Sequence, residues 1–155
     1  MRRIVTAAES PLALARSWLL ARPVDTSTLA AAAAHGPDNL IVDLEDGIPF
    51  AGKPAAREFA REWLGAHHGW VRVNNVTTPH FAADIAAVTG LPGLLGIVLS
   101  KTESAADVKL CAEALPDVPI IAMIESAYSL LHAAAIADTP PVVRLICRSV
   151  CQGAG

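Results

Sequence analysis

Apolar residues in this chain come in short unbroken runs, and each run is followed by an alanine-rich stretch dotted with charge. The runs fall at 17–21, 39–44, 70–73, 96–100, 119–124 and 142–146, with helical stretches between them at 28–34, 53–64, 80–88, 104–114 and 126–137. A strand that is apolar at every position is covered on both faces, as in a parallel sheet flanked by helices. The pattern therefore predicts an α/β fold of six strands and five intervening helices. Helix starts are marked by Ser27 or Thr28, by Pro54 after Lys53, by Thr78-Pro79 before Phe81, and by Ser104 after Glu103. The pair Pro140-Pro141 stops the fifth helix and imposes an extended entry into the sixth strand. The βα units share no residue signature, so their alternation is structural and not a solenoid repeat.

Composition narrows the classes further. A chain of 155 residues with 53% hydrophobic residues is one soluble domain at most and too apolar for disorder. Its apolar stretches are interrupted well before the roughly 18 residues that span a bilayer, so no membrane role is expected. Twelve Lys+Arg against fifteen Asp+Glu give a net charge of -3, and the basic residues form no stripe able to neutralise phosphates, which argues against nucleic acid. Of the three cysteines, Cys147 and Cys151 stand four apart with no second Cys/His pair; zinc is thus a weak reading, and reduced thiols are expected. Met1-Arg2-Arg3-Ile4-Val5 begins like a charged leader, but Glu9 and Pro11 interrupt any apolar core. The expected location is cytoplasmic.

In parallel α/β folds ligands sit at the carboxyl ends of the strands. Polar residues there come first: Asp43, Glu45 and Asp46 after the second strand, Arg72, Asn74 and Asn75 on the third, Lys101 and Glu103 after the fourth, Glu125 and Ser126 after the fifth. Glu125 closes six apolar residues, and a carboxylate there needs a cation or hydrogen bonds to stay ionised. It reads equally as a metal ligand and as an acid at the start of the following helix. Arg72, between Val71 and Val73, suits a carboxylate or phosphate held by two hydrogen bonds; a buried ion pair with Asp43, Glu45 or Asp46 is the other reading, and both can hold. Strand alternation puts Asp43 and Glu45 on one face and Leu44 and Asp46 on the other, so at most part of the acidic cluster points into a site. Lys53 and Arg57, one helical turn apart, are candidate partners for these acids, although a solvated face is the reading favoured for both. The histidines carry no clear chemistry. No nucleophile elbow, phosphate loop or dinucleotide fingerprint occurs, so covalent Ser or Cys catalysis has no support.

These residues taken together resemble the HpcH/HpaI aldolase and citrate-lyase beta-subunit family, which includes malyl-CoA and citramalyl-CoA lyases. The resemblance is carried by Arg16-Ser17-Trp18-Leu19-Leu20, Ile41-Val42-Asp43-Leu44-Glu45-Asp46-Gly47 with Lys53 and Arg57 downstream, and Trp70-Val71-Arg72-Val73-Asn74. Gly90-Leu91-Pro92-Gly93-Leu94, Leu99-Ser100-Lys101-Thr102-Glu103-Ser104 and Ile124-Glu125-Ser126 continue it. It implies a TIM-type (β/α)8 barrel, here about five and a half βα units over 16–146, with an N-terminal extension at 1–15 and a divergent tail at 147–155. It further implies Mg²⁺ held by Glu125, Arg72 clamping a substrate carboxylate, Glu45 and Asp46 lining the site, and Lys101 touching substrate. The implied reaction is carbon–carbon bond cleavage in a 2-oxo or 2-hydroxy acid or an acyl-CoA thioester such as malyl-, citramalyl- or citryl-CoA.

The chain also departs from the family pattern. A second metal-ligating acid is expected after the sixth strand, but Ile146-Cys147-Arg148-Ser149-Val150-Cys151-Gln152-Gly153 carries no carboxylate, and Ser100 replaces the more usual Pro. A whole barrel takes about 250 residues, so the expectation is a lyase impaired by truncation, with homo-oligomerisation covering the free edges of the first and sixth strands. Two other readings stay open: a non-catalytic half-barrel remnant or assembly module, and an open flavodoxin-like sheet.

Overall fold

The computed structural model describes residues 11–147. The first strand, β1 (Trp18–Ala21), follows a single helical turn, α1 (Pro11–Leu14), and leads into α2 (Thr26–Ala34). The side chain of Asp25 caps α2 by accepting from the Thr28 amide, so the helix starts at Thr26, two residues before the expected start at Thr28. Then come β2 (Asn39–Asp43), a 3₁₀ turn at Phe50–Gly52, α3 (Lys53–Ala66), β3 (Gly69–Val73), α4 (Phe81–Val88), β4 (Leu94–Leu99), α5 (Ala105–Ala114) and β5 (Ile120–Ile124). The fifth expected helix is two short ones, α6 (Ala127–Leu131) and α7 (Ala133–Ala137), broken at His132, whose φ of -103° and ψ of 5° leave the helical range. β6 (Val142–Cys147) is the last strand. The tail at 148–155, with Cys151, and residues 1–10 of the extension lie outside the described residues.

All six strands are parallel and lie in the order β1-β2-β3-β4-β5-β6. A flavodoxin-like sheet would show a reversal of strand order, with the second strand outermost; the strictly sequential order replaces that alternative. The sheet is also curled. Six flat strands would hold β1 and β6 about 24 Å apart at ordinary strand spacing, yet the Arg144 guanidinium of β6 lies 5.2 Å from the centre of the Trp18 ring of β1. Side chains alternate across this sheet. Val42, Val71, Val73, Ile97, Leu99, Ile120, Ala122 and Ile124 face the helices, where Leu29, Ala60, Leu64, Val88, Val108 and Ile136 are fully buried against them. Ile41, Trp70, Val98, Ile121 and Met123 fill the concave side together with Trp18 and Ile146. Gly96 belongs to this inner packing. A Cβ there would run into the Trp70 ring and stand 2.7 Å from the Pro119 carbonyl, so only glycine lets the indole lie flat on β4.

One cysteine is part of the outer core. Cys111 on α5 is fully buried, and burial pushes its thiol up to about 12, whereas Cys147 is exposed. No helix among the described residues is long and apolar enough to cross a membrane.

Candidate functional site

Charge collects where β2, β3, β4 and β5 end. In register with one another, Asp43 and Arg72 stand side by side on the concave face. Arg72 donates from Nε to Asp43 Oδ1 and from Nη2 to Oδ2, both at 2.8 Å. The amides of Glu45 and Gly47 donate to the same two oxygens, at 2.9 and 3.1 Å. Asp43 thus has its acceptor capacity filled, and its 1% exposure is tolerable because every lone-pair direction is used. Burial works against the Arg72 charge, but Asp43, Glu45 and Glu125 outweigh it and raise its pKa. Both sequence readings of Arg72 meet here: it is in a buried ion pair, and Nη1 still points towards the site, 3.4 Å from Glu45 Oε2.

Beyond Asp43 the chain leaves the strand and turns, with the Ile48 amide bonded to the Glu45 carbonyl. This turn overrides strand alternation. Asp43, Glu45 and Asp46 all join the same cluster, so the expectation that only part of it would do so needs correcting. Gly47 makes the turn possible, since a Cβ would collide with Asp43 Oδ2 and crowd the stem of Arg22 at 3.0 Å.

The cation between these acids is Lys101. Its ammonium lies 2.7 Å from Glu45 Oε1 and 2.9 Å from Asp46 Oδ2. The bond to Glu45, opposed by burial and reinforced by Asp46, raises the Lys101 pKa. Asp46 is opposed by burial as well, yet the Lys101 bond holds its carboxyl below the usual range. Lys101 adopts a left-handed φ of 47°, which costs a non-glycine residue about 1–2 kcal/mol. It is pinned on both sides: its amide donates to Glu125 Oε2 at 2.8 Å, and its carbonyl accepts from Asn75 Nδ2 at 2.6 Å. Glu125 therefore does not act as a first-turn acid. Ser126 caps α6 and receives the Ser129 amide, leaving the half-buried Glu125 carboxylate to reach across to the β4 loop.

Lys53 and Arg57 correct the sequence reading most. Neither lies on a solvated face. Lys53 is 7% exposed and donates to the Leu44 and Glu45 carbonyls at 2.8 and 3.0 Å and to Asn74 Oδ1 at 3.1 Å. Burial lowers its pKa. Arg57 pairs with Asp84 at 2.8 Å, and Asp84, fully buried on α4, also accepts from the Asn74 amide and from Asn74 Nδ2. The chain Arg57–Asp84–Asn74–Lys53 thus holds from behind the turn that carries Glu45. Sequence reasoning missed Asp84, which resembles an ordinary acid in the first turn of α4; the signal available was Asn74 directly after an apolar strand, a buried amide that needs partners.

A cavity of about 540 Å³ opens over this cluster, lined by Leu20, Arg22, Asp43, Asp46, Gly47, Arg72 and Met123. No three His, Cys, Asp or Glu residues among those described are grouped closely enough to cage a metal. One buried oxygen, Glu45 Oε2, has no hydrogen-bond partner. Together with the Glu125 carboxylate it offers hard oxygen donors. This suits Mg²⁺, which keeps several waters and uses one or two carboxylates plus substrate.

The model of the HpcH/HpaI aldolase/citrate lyase family matches residues 16–147. A citrate lyase subunit beta-like protein from Deinococcus radiodurans is 32% identical over 86% of this chain and 51% of its own length. A (3S)-malyl-CoA thioesterase from Cereibacter sphaeroides is 37% identical over 70% of this chain and 40% of its own. Among solved structures, CitE from Mycobacterium tuberculosis in complex with magnesium, acetoacetate and coenzyme A superposes with a TM-score of 0.74 at 35% identity, covering 86% of this chain and 48% of that one. Other CitE structures hold magnesium with oxaloacetate or pyruvate. The chain spans about half the length of the curated relatives it matches.

Proposed function

The chain belongs to the HpcH/HpaI aldolase/citrate lyase family, and from that premise we propose that it carries the site of a Mg²⁺-dependent carbon–carbon lyase acting on a 2-oxo or 2-hydroxy acid or its CoA thioester. The observation that supports this most directly is the buried Glu45 Oε2 without a hydrogen-bond partner beside Arg72 at the strand ends, in a family whose solved members include complexes with magnesium and 2-oxo acids. In this reading Glu125 and Glu45 hold the ion with water. When bound, Mg²⁺ supplies Lewis acidity towards a chelating acid. Arg72, fixed by Asp43, directs its remaining N–H groups at the substrate carboxylate. Lys101 neutralises Glu45 and Asp46 so that three acids can sit together, and it reaches substrate from the β4 loop. The partial TIM-type barrel over 16–146, about five and a half βα units, is part of the same proposal.

Purified protein incubated with (3S)-malyl-CoA and Mg²⁺ is expected to form glyoxylate and acetyl-CoA. Glu125→Gln should raise the Mg²⁺ concentration needed for half-saturation by about ten- to a hundredfold. Release of CoA thiol without glyoxylate would move the assignment to the thioesterase chemistry named for the Cereibacter relatives. No turnover of any of these thioesters would favour the non-catalytic scaffold. The proposal includes a homo-oligomer, because among the described residues β1 and β6 each pair on one side only. Light scattering on an eluted peak should give at least a dimer mass, and a monomer at micromolar concentration counts against it.

A further inference from the structure

Two arginines line the cavity, and their situations differ. Arg72 is partly engaged: Nε and Nη2 donate to Asp43, and Nη1 faces Glu45. Arg22, just beyond β1, is exposed, and its stem lies against Gly47. No described residue engages its guanidinium in a hydrogen bond or ion pair. Charge along the cavity wall can be followed pair by pair. Asp43 pairs with Arg72 and Asp46 with Lys101, and among the described residues no carboxylate forms an ion pair with Arg22. A guanidinium presents a rigid fork of donors matched to carboxylate oxygens, and among the described residues none takes up the donors of this one.

We infer that Arg22 receives a second carboxylate of the ligand, so that the site selects a dicarboxylic 2-oxo acid over a monocarboxylic one. The inference rests on the proposed role of Arg72, which takes the first carboxylate. Gly47 is part of the device because a Cβ there would collide with Asp43 Oδ2 and press on the Arg22 stem at 3.0 Å. Nothing in the sequence distinguished Arg22, which follows β1 without any acidic neighbour or motif.

The test is calorimetric titration of the full chain, wild type and Arg22→Gln, with fresh oxaloacetate and with pyruvate in Mg²⁺, and with malonate alone. Arg22→Gln is expected to weaken oxaloacetate about tenfold and to change pyruvate less than about twofold, with an unchanged thermal midpoint. Arg22→Lys should keep part of the preference. Equal loss for both acids, or no loss for either, overturns the inference. If the wild type binds neither 2-oxo acid, the lyase reading falls; Arg22-dependent malonate binding then still sustains the anion site, and its absence ends it.

Discussion

Asp43→Ala should lower the free energy of unfolding by about 3–5 kcal/mol, the usual cost of stripping one partner from a buried ion pair. The geometry puts the value in that range. Removing the carboxylate leaves Arg72, 5% exposed, with two unpaired nitrogens, and it also orphans the Glu45 and Gly47 amides. Most of that loss is the cost of leaving buried donors of Arg72 and two backbone amides without their acceptor, with Glu45 as the nearest remaining acid. An Asp43→Leu, Arg72→Met double variant should therefore recover most of it, although it would bind no carboxylate. Urea titration of the three proteins measures this through the midpoint at constant slope. A single-variant loss below about 1 kcal/mol would mean that water reaches the pair.

Asp84→Ala is expected to cost a similar amount, about 3–5 kcal/mol, from a position that touches no part of the cavity. Its carboxylate is fully buried and answers Arg57 Nε, the Asn74 amide and Asn74 Nδ2. Arg57→Met should cost clearly less, because the arginine side chain is 13% exposed and Asp84 would keep both Asn74 donors. The difference between the two variants isolates what Asn74 needs. If Arg57→Met proved the worse, the pair would be acting chiefly through the packing of the arginine stem. Hydrogen exchange on Asp84→Ala should show added opening in the Leu44–Ile48 turn, since Asn74 and Lys53 connect Asp84 to its carbonyls.

The fold was largely legible because its signal is local. All six runs became strands within a residue or two, and continuous apolarity correctly implied cover on both faces. Where the reading failed, the cause lay in contacts between distant segments or in short capping geometry. His132 breaks one expected helix into two, and Asp25 starts α2 early. Residue types at strand ends singled out Asp43, Glu45, Asp46, Arg72, Lys101 and Glu125 as candidates, and the structure brings these six into one cluster. What they bond to was not visible. Whether Arg72 meets Asp43 depends on the register of β2 with β3, and whether Lys53 is buried depends on how α3 lies over the turn. Lys53 and Arg57 show this most plainly: two cations one helical turn apart look like a solvated face until Asp84 and Asn74 arrive from another helix and strand.

The sequential strand order carries a consequence for how the molecule assembles. Among the described residues every strand pairs with the strand of the neighbouring βα unit. Short separations between partners favour quick closure. During synthesis each new strand finds its template edge already in place, laid down by the unit translated just before it. The Asp43–Arg72 pair forms where β3 joins β2, and a slip of one residue between them would put the two charges on opposite faces of the sheet, one of them in the apolar helix layer. The ion pair that fixes Arg72 at the cavity thus also penalises a misaligned β2–β3 register.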